Sequence, residues 1–178
     1  ELLALECFCE LNLRTGELAQ KLGKKDSYAS RVIRKLLEKG LIYWQERREY
    51  TLSPASHAQS FKKLYHSRPQ AKIEDWLSGY AMDLLVLSSY PNEGIPIELF
   101  WNELACSKPT AYGVLKKLSG AGIVSKNSST VRTSDPLVAE FANDYANNIV
   151  RIATSPIAGL KTSIRVRAHL VIRCESKN

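Results

Sequence analysis

Apolar side chains recur three and four positions apart from the first residues of the chain. Leu2, Leu3, Leu5 and Phe8 share one face of a helix of about 3.6 residues per turn, and the pattern gives way at Glu10, Leu11 and Asn12. A second helix is expected to start at Thr15, whose hydroxyl suits an N-cap, with Glu17 near the positive dipole end. It runs to about Leu22 and stops at Gly23. After Lys24 and Lys25, Asp26 or Ser27 can cap a third helix with apolar positions Ala29, Val32, Ile33, Leu36 and Leu37, and Gly40 supplies a left-handed stop. The period then becomes extended. Leu41-Ile42-Tyr43-Trp44 favours a strand, Glu46-Arg47-Arg48 a polar turn, and Glu49-Tyr50-Thr51-Leu52 a returning strand that Pro54 breaks.

The same order of elements comes round again. Sliding the chain by 82 residues sets Leu2, Leu3 and Leu5 on Leu84, Leu85 and Leu87, and Leu22 on Leu104. Ala29 falls on Ala111, Val32 on Val114, Leu36 on Leu118 and Gly40 on Gly122, and without a gap Thr51 falls on Thr133 and Pro54 on Pro136. Core and turn positions match, as two copies of one fold require. Pro109 suits the first turn of the second copy's third helix, where its missing N–H would be unpaired anyway.

Between the copies, Pro54 to His66 reads as a further helix, Arg68-Pro69 as a break, and Ile73, Trp76, Leu77, Tyr80 and Ala81 as an apolar stripe that could form a dimer seam. The end of the chain alternates with period two: Ile164, Val166, Ala168, Leu170 and Ile172 interleave with Arg165, Arg167, His169, Val171 and Arg173. This predicts a strand, which needs a partner to satisfy its backbone.

The segments Leu18-Ala19-Gln20-Lys21-Leu22-Gly23, Ser27-Tyr28-Ala29-Ser30-Arg31-Val32-Ile33-Arg34-Lys35-Leu36 and Glu38-Lys39-Gly40-Leu41-Ile42 together resemble the winged helix-turn-helix core of MarR-like and ArsR-like transcriptional regulators. Glu103 to Tyr112, Leu115-Lys116-Lys117-Leu118 and Ala121-Gly122-Ile123-Val124 repeat that pattern. The resemblance implies a mainly α fold with small β wings (α+β) and two winged helix-turn-helix domains in tandem, to which the alternating tail adds a C-terminal β-strand. The expected boundaries are a DNA-binding domain at 1–53, linker helices at 54–80, a second winged helix at 81–153 and a basic strand or tail at 154–178.

Composition changes this picture little: 44% hydrophobic and 24% charged residues suit a soluble globular chain. The longest apolar run, Ala81 to Leu87, contains Asp83 and stops at Ser88, well short of the ~20 residues of a membrane span. No signal peptide is evident, and a first residue inside a helical pattern leads us to expect a piece of a longer protein. Cys7, Cys9, Cys106 and Cys174 form no CxxC pair and read as buried free thiols, which fits a cytoplasmic location.

Charge is more informative. The net charge of +7 favours a polyanionic partner, and its placement separates the copies. Residues 11–53 carry ten basic against five acidic side chains, whereas residues 81–150 carry five against seven. Off the apolar stripe of the third helix lie Ser27, Tyr28, Ser30, Arg31, Arg34 and Lys35, a donor face able to enter a major groove. Arg31 suits a guanine edge; Ser27, Ser30 and Thr15 suit phosphates near helix N-termini, and Arg34 and Lys35 suit phosphates also. Arg47 and Arg48 at the turn could reach a minor groove, with Glu46 and Glu49 working against them. The bland alternative is an ordinary solvated face. In the second copy Gly113 replaces Arg31, leaving Lys108, Tyr112, Lys116 and Lys117 as weaker candidates and favouring an interaction or dimerisation role.

Catalysis finds no foothold. His57, His66 and His169 are scattered, and no HExxH or glycine-rich phosphate loop occurs, so no enzyme activity, cofactor or metal is expected. Tyr43, Trp44, Tyr50, Trp76 and Trp101 read as core aromatics. The expected function is sequence-specific binding of double-stranded DNA and regulation of transcription by a cytoplasmic homodimer, with no membrane partner and no specified effector. Two alternatives stand beside it: a tandem winged-helix scaffold for protein assembly, or the front part of a larger ligand-sensing or catalytic protein.

Overall fold

The computed structural model describes residues 1–68, 73–77, 79–89, 94–98 and 106–153. It is a mainly helical α+β structure with small antiparallel sheets of two and three strands. The chain divides into two compact units, Glu1–Asp75 and Trp76 onward.

In the first unit α1 (Leu2–Glu10), α2 (Thr15–Leu22) and α3 (Asp26–Glu38) precede a hairpin of β1 (Ile42–Gln45) and β2 (Glu49–Leu52), and α4 (Ser56–Ser67) follows. The α3 helix buries Ala29, Val32, Ile33 and Leu36, and Gly23 closes α2 in the left-handed conformation. After α3 the Leu41 N–H donates to the Leu36 carbonyl across Gly40. Gly40 sits at φ +64°, where a Cβ would be strained. This reversal sends β1 back along α3. The hairpin then gains a third edge, because Leu13 exchanges both backbone hydrogen bonds with Tyr50 at 3.0 and 2.9 Å.

The second unit repeats the plan with α6 (Tyr80–Ser89), β3 (Ile95–Pro96), α7 (Lys108–Gly120), β4 (Val124–Lys126), β5 (Thr130–Thr133) and α8 (Pro136–Ala153); the short α5 (Glu74–Leu77) spans the division. The counterpart expected for α2 falls largely on residues 99–105, outside the described residues, as do Trp101 and the whole predicted strand at 154–178. At the end of α7 the Ile123 N–H donates to the Leu118 carbonyl across Gly122 at φ +71°, as at Gly40.

The register corrects the gapless repeat. Ile42 pairs with Leu52 in the first hairpin, and its counterpart Val124 pairs with Thr133 in the second. Likewise Ser53 N–H donates to the Leu41 carbonyl, and Ser134 N–H to that of Ile123. Thr133 therefore stands in the place of Leu52 rather than Thr51, and Pro136 in that of Ala55 rather than Pro54. The second hairpin is one residue shorter.

With this shift α4 becomes the counterpart of α8. Each packs on the first helix of its unit, α4 on α1 and α8 on α6. Ala58, Phe61 and Leu64 are fully buried, so the helix placed in a linker by sequence forms part of a core. His57 lies in its first turn, and its Nε2 sits 3.0 Å from the Lys39 carbonyl oxygen, which can only accept; Nε2 therefore donates, tying α4 to the end of α3. The buried Val138 occupies the matching place in α8.

Other local expectations shift. The N-caps are Arg14 and Lys25, which places Thr15 and Asp26 one residue inside their helices and Ser27 two. The buried face of α1 is Ala4, Leu5, Phe8 and Cys9, while Leu3 is exposed, as is Leu37 on α3. Tyr43 and Trp44 are not core: beyond Ile42 every side chain of β1 is exposed, Trp44 to 59%. Cys7, Cys9 and Cys106 are free; burial pushes the Cys9 thiol up to about 12, while Cys174 lies outside the described residues.

Phe61→Ala should lower stability by about 3 to 5 kcal/mol in urea unfolding followed by circular dichroism. A change within about 0.5 kcal/mol, as for a solvated linker, would contradict this place for α4.

Candidate nucleic-acid interface

The α3 helix turns by about 100° per residue, so the stripe opposite its buried face is Ser27, Arg31, Arg34 and Glu38. All four are exposed. Ser30 and Leu37 flank the stripe on one side, Tyr28 and Lys35 on the other, and these are exposed too. Six sequence candidates thus occupy one continuous outward surface of a single helix.

Their electrostatic settings differ. The Arg31 side chain makes no ion pair among the described residues, whereas Arg34 Nε lies 3.8 Å from Glu38 one turn on. Lys35 turns away toward α1, with its ammonium 3.1 Å from a Glu1 oxygen. Lys39 bonds the other oxygen of the same carboxylate. Burial pushes the Glu1 carboxyl up, but the bonds and charges of Lys39 and Lys35 outweigh it and hold it below its ordinary 4.5.

Two further parts surround α3. Thr15 is half-buried at the first position of α2, where the backbone N–H of Arg14 donates to Glu17 Oε2 at 2.7 Å. The hairpin turn Glu46–Arg48 is a short 3-10 segment, and Arg48 is exposed with φ at +64°, a region a side chain rarely occupies. The Arg47 side chain lies outside the described ones.

Arg14 is absent from the sequence candidates. The fold brings its guanidinium 3.1 Å from Glu49 on β2, with the arginine side chain 54% exposed. Beside it Asn12 Nδ2 donates to Gln45 Oε1 at 3.3 Å. No local pattern announces these pairs, since their partners stand more than thirty residues apart.

In the second unit the positions matching Ser27, Arg31, Arg34 and Glu38 are Pro109, Gly113, Lys116 and Gly120. The outward stripe of α7 is nearly bare: no atom comes within 4 Å of a Cβ built at Gly113 or Gly120. Lys116 and Lys117 are exposed, as are Lys108 and Tyr112. The Lys126 ammonium lies 5.3 Å from the centre of the Tyr112 ring, which draws that tyrosine toward β4.

Among the described residues no group of three histidine, cysteine or carboxylate side chains is placed to hold a metal ion. No helix among them is long and apolar enough to cross a membrane. Comparison with protein-family models, curated proteins and solved structures finds no match.

The Glu1 cluster carries a pH signature. Because its carboxyl is held below its ordinary value, the stabilisation is present above 4.5 and is lost as pH falls through the depressed value. Glu1→Gln should cost about 0.2 to 1 kcal/mol at neutral pH, small because the pairs are solvent-screened, and nothing in acid below that value. Paired urea titrations of the two proteins at both pH values measure the difference.

Proposed function

We propose that the chain is a sequence-specific DNA-binding regulator of transcription, made of two winged helix-turn-helix domains in tandem, with the first unit reading double-stranded DNA. The observation that carries this reading is the outward stripe of α3. An exposed Ser27–Arg31–Arg34 row opposite the buried face has the dimensions and donors for a major groove about 12 Å wide. Arg31, unencumbered by an ion pair among the described residues, is the base-reading residue, because its fork matches O6 and N7 of guanine. Arg34 within the stripe and Ser30 on its flank contact phosphates, as does Lys35 when Glu1 releases it. Thr15 and Ser27 serve the backbone near helix starts, and Arg48 reaches the neighbouring groove from the hairpin. No catalytic step and no cofactor enter this mechanism.

For the second unit the bare stripe of Pro109, Gly113 and Gly120 favours a different role, as a surface for another protein or for dimerisation. Without arginine on that row it lacks the fork that discriminates bases. A two-fold dimer would set two α3 helices about one DNA turn apart. We place the protein in the cytoplasm, where its thiols stay reduced.

Selection from a random duplex pool should yield an enriched motif, and binding to it should weaken steeply as salt is added. Arg31→Ala with Arg34→Ala should abolish that binding in fluorescence anisotropy while leaving the circular dichroism spectrum and melting temperature unchanged, since both side chains are exposed. Equal affinity of this double variant and the parent would sink the reading.

A further inference from the structure

We infer that Arg14 is a backbone-phosphate clamp of the first unit, and that Glu49 is the positioning residue which aims it. The inference rests on the DNA-binding reading above and adds a contact that the sequence pattern does not announce.

Three features converge on Arg14. Its backbone is pinned on both sides: before it Leu13 is hydrogen-bonded to Tyr50 through both its N–H and its carbonyl and the Arg14 N–H donates to Glu17 at 2.7 Å, and after it the Arg14 carbonyl accepts from the Leu18 N–H at 3.0 Å. Its guanidinium is then drawn to one place, because one terminal nitrogen donates to Glu49 Oε1 at 3.1 Å. The remaining donors of the five-donor fork are left over, and the side chain is 54% exposed.

A surface pair of this exposure adds little to stability. What it does accomplish is orientation. An arginine side chain loses substantial rotamer freedom when it grips an anion, and a side chain already held by a neighbouring carboxylate has given up part of that freedom beforehand. The place is also suitable. Glu49 follows Arg48 directly, so Arg14 is fastened between the start of α2 and the end of the hairpin turn, two of the elements that frame α3. A duplex lying along α3 would present a strand of phosphates to such a point. A phosphate contact carries no sequence information, so the contribution of Arg14 is uniform across sequences.

The test uses the full chain and a fluorescein-labelled duplex, first of mixed sequence and then of the selected motif, titrated over a range of salt concentrations. Arg14→Ala should weaken binding roughly tenfold on both duplexes, the equivalent of one charge-assisted hydrogen bond. It should also reduce the slope of log affinity against log salt by about one. Arg14→Lys should restore the slope but only part of the affinity, since a lysine keeps the charge and loses the fork held by Glu49.

Two variants of equal charge isolate the positioning. Glu49→Gln keeps an oxygen that accepts from Arg14, and Glu49→Ala removes it. Glu49→Gln should bind at least about twofold more tightly than Glu49→Ala, and this gap should vanish when each is combined with Arg14→Ala. If Arg14→Ala leaves affinity and slope unchanged while the Arg31 and Arg34 double variant loses binding, the clamp is refuted and the DNA reading stands. Identical binding by the two Glu49 variants refutes the positioning role. Failure of the parent protein to bind either duplex overturns both readings together.

Discussion

The left-handed turn that ends the third helix is the constraint on which the rest of each unit depends. At Gly40 and at Gly122 the backbone takes a positive φ, and the following residue bonds back to the carbonyl five positions earlier. This ends the helix without leaving its last carbonyls unsatisfied and reverses the chain within two residues. The strand that follows can then lie along the helix it has just left. Because the reversal is tight, Leu41 and Ile123 are buried immediately, and their carbonyls receive the returning strands through Ser53 and Ser134. Hairpin, final helix and core all take their positions from that turn.

On this shared frame the two units spend their surfaces differently. The buried positions of α3 and α7 are interchangeable in kind: Ala29, Ile33 and Leu36 answer to Ala111, Leu115 and Leu118. The outward positions are not. Four residues facing away from the core carry serine, two arginines and a glutamate in one unit, and proline, glycine, lysine and glycine in the other. Packing constrains one face of a helix and leaves the opposite face free to diverge, because changes among solvent-exposed side chains cost little stability. The proposed division between a DNA-reading unit and an interaction unit rests on that asymmetry.

The frame also governs how charge is arranged. Lys35 and Lys39 converge on Glu1, whereas Arg31 has no acidic neighbour in an ion pair among the described residues. Counting charges along the sequence treats these cations alike. In the fold, one is partly neutralised by a carboxylate at the start of α1 and another has no ion pair among the described residues, which is a difference of placement alone.

Element types and their order were legible in the residues. The helical spacing of Ala29, Val32, Ile33 and Leu36, the punctuation at Gly23, Gly40 and Gly122, and the hairpin from Ile42 to Leu52 are local signals, set by neighbours within a few positions. So was the outward row on α3, since a buried stripe defines its opposite. The one-residue shortening of the second hairpin was hidden by coincidental matches at Thr51 and Pro54. The membership of α4 in a core was hidden because its amphipathic pattern does not say what it packs against. Trp44 shows the converse error: its apolar character suggested burial, but only the packing of the fold around β1 decides whether anything covers it. Sequence by itself determined the helices, turns and duplicated plan, because short-range sterics and periodicity specify them. Tertiary structure alone decided that Arg14 meets Glu49, that His57 ties α4 to α3 and that Lys35 faces Glu1, because these contacts join residues far apart in the chain.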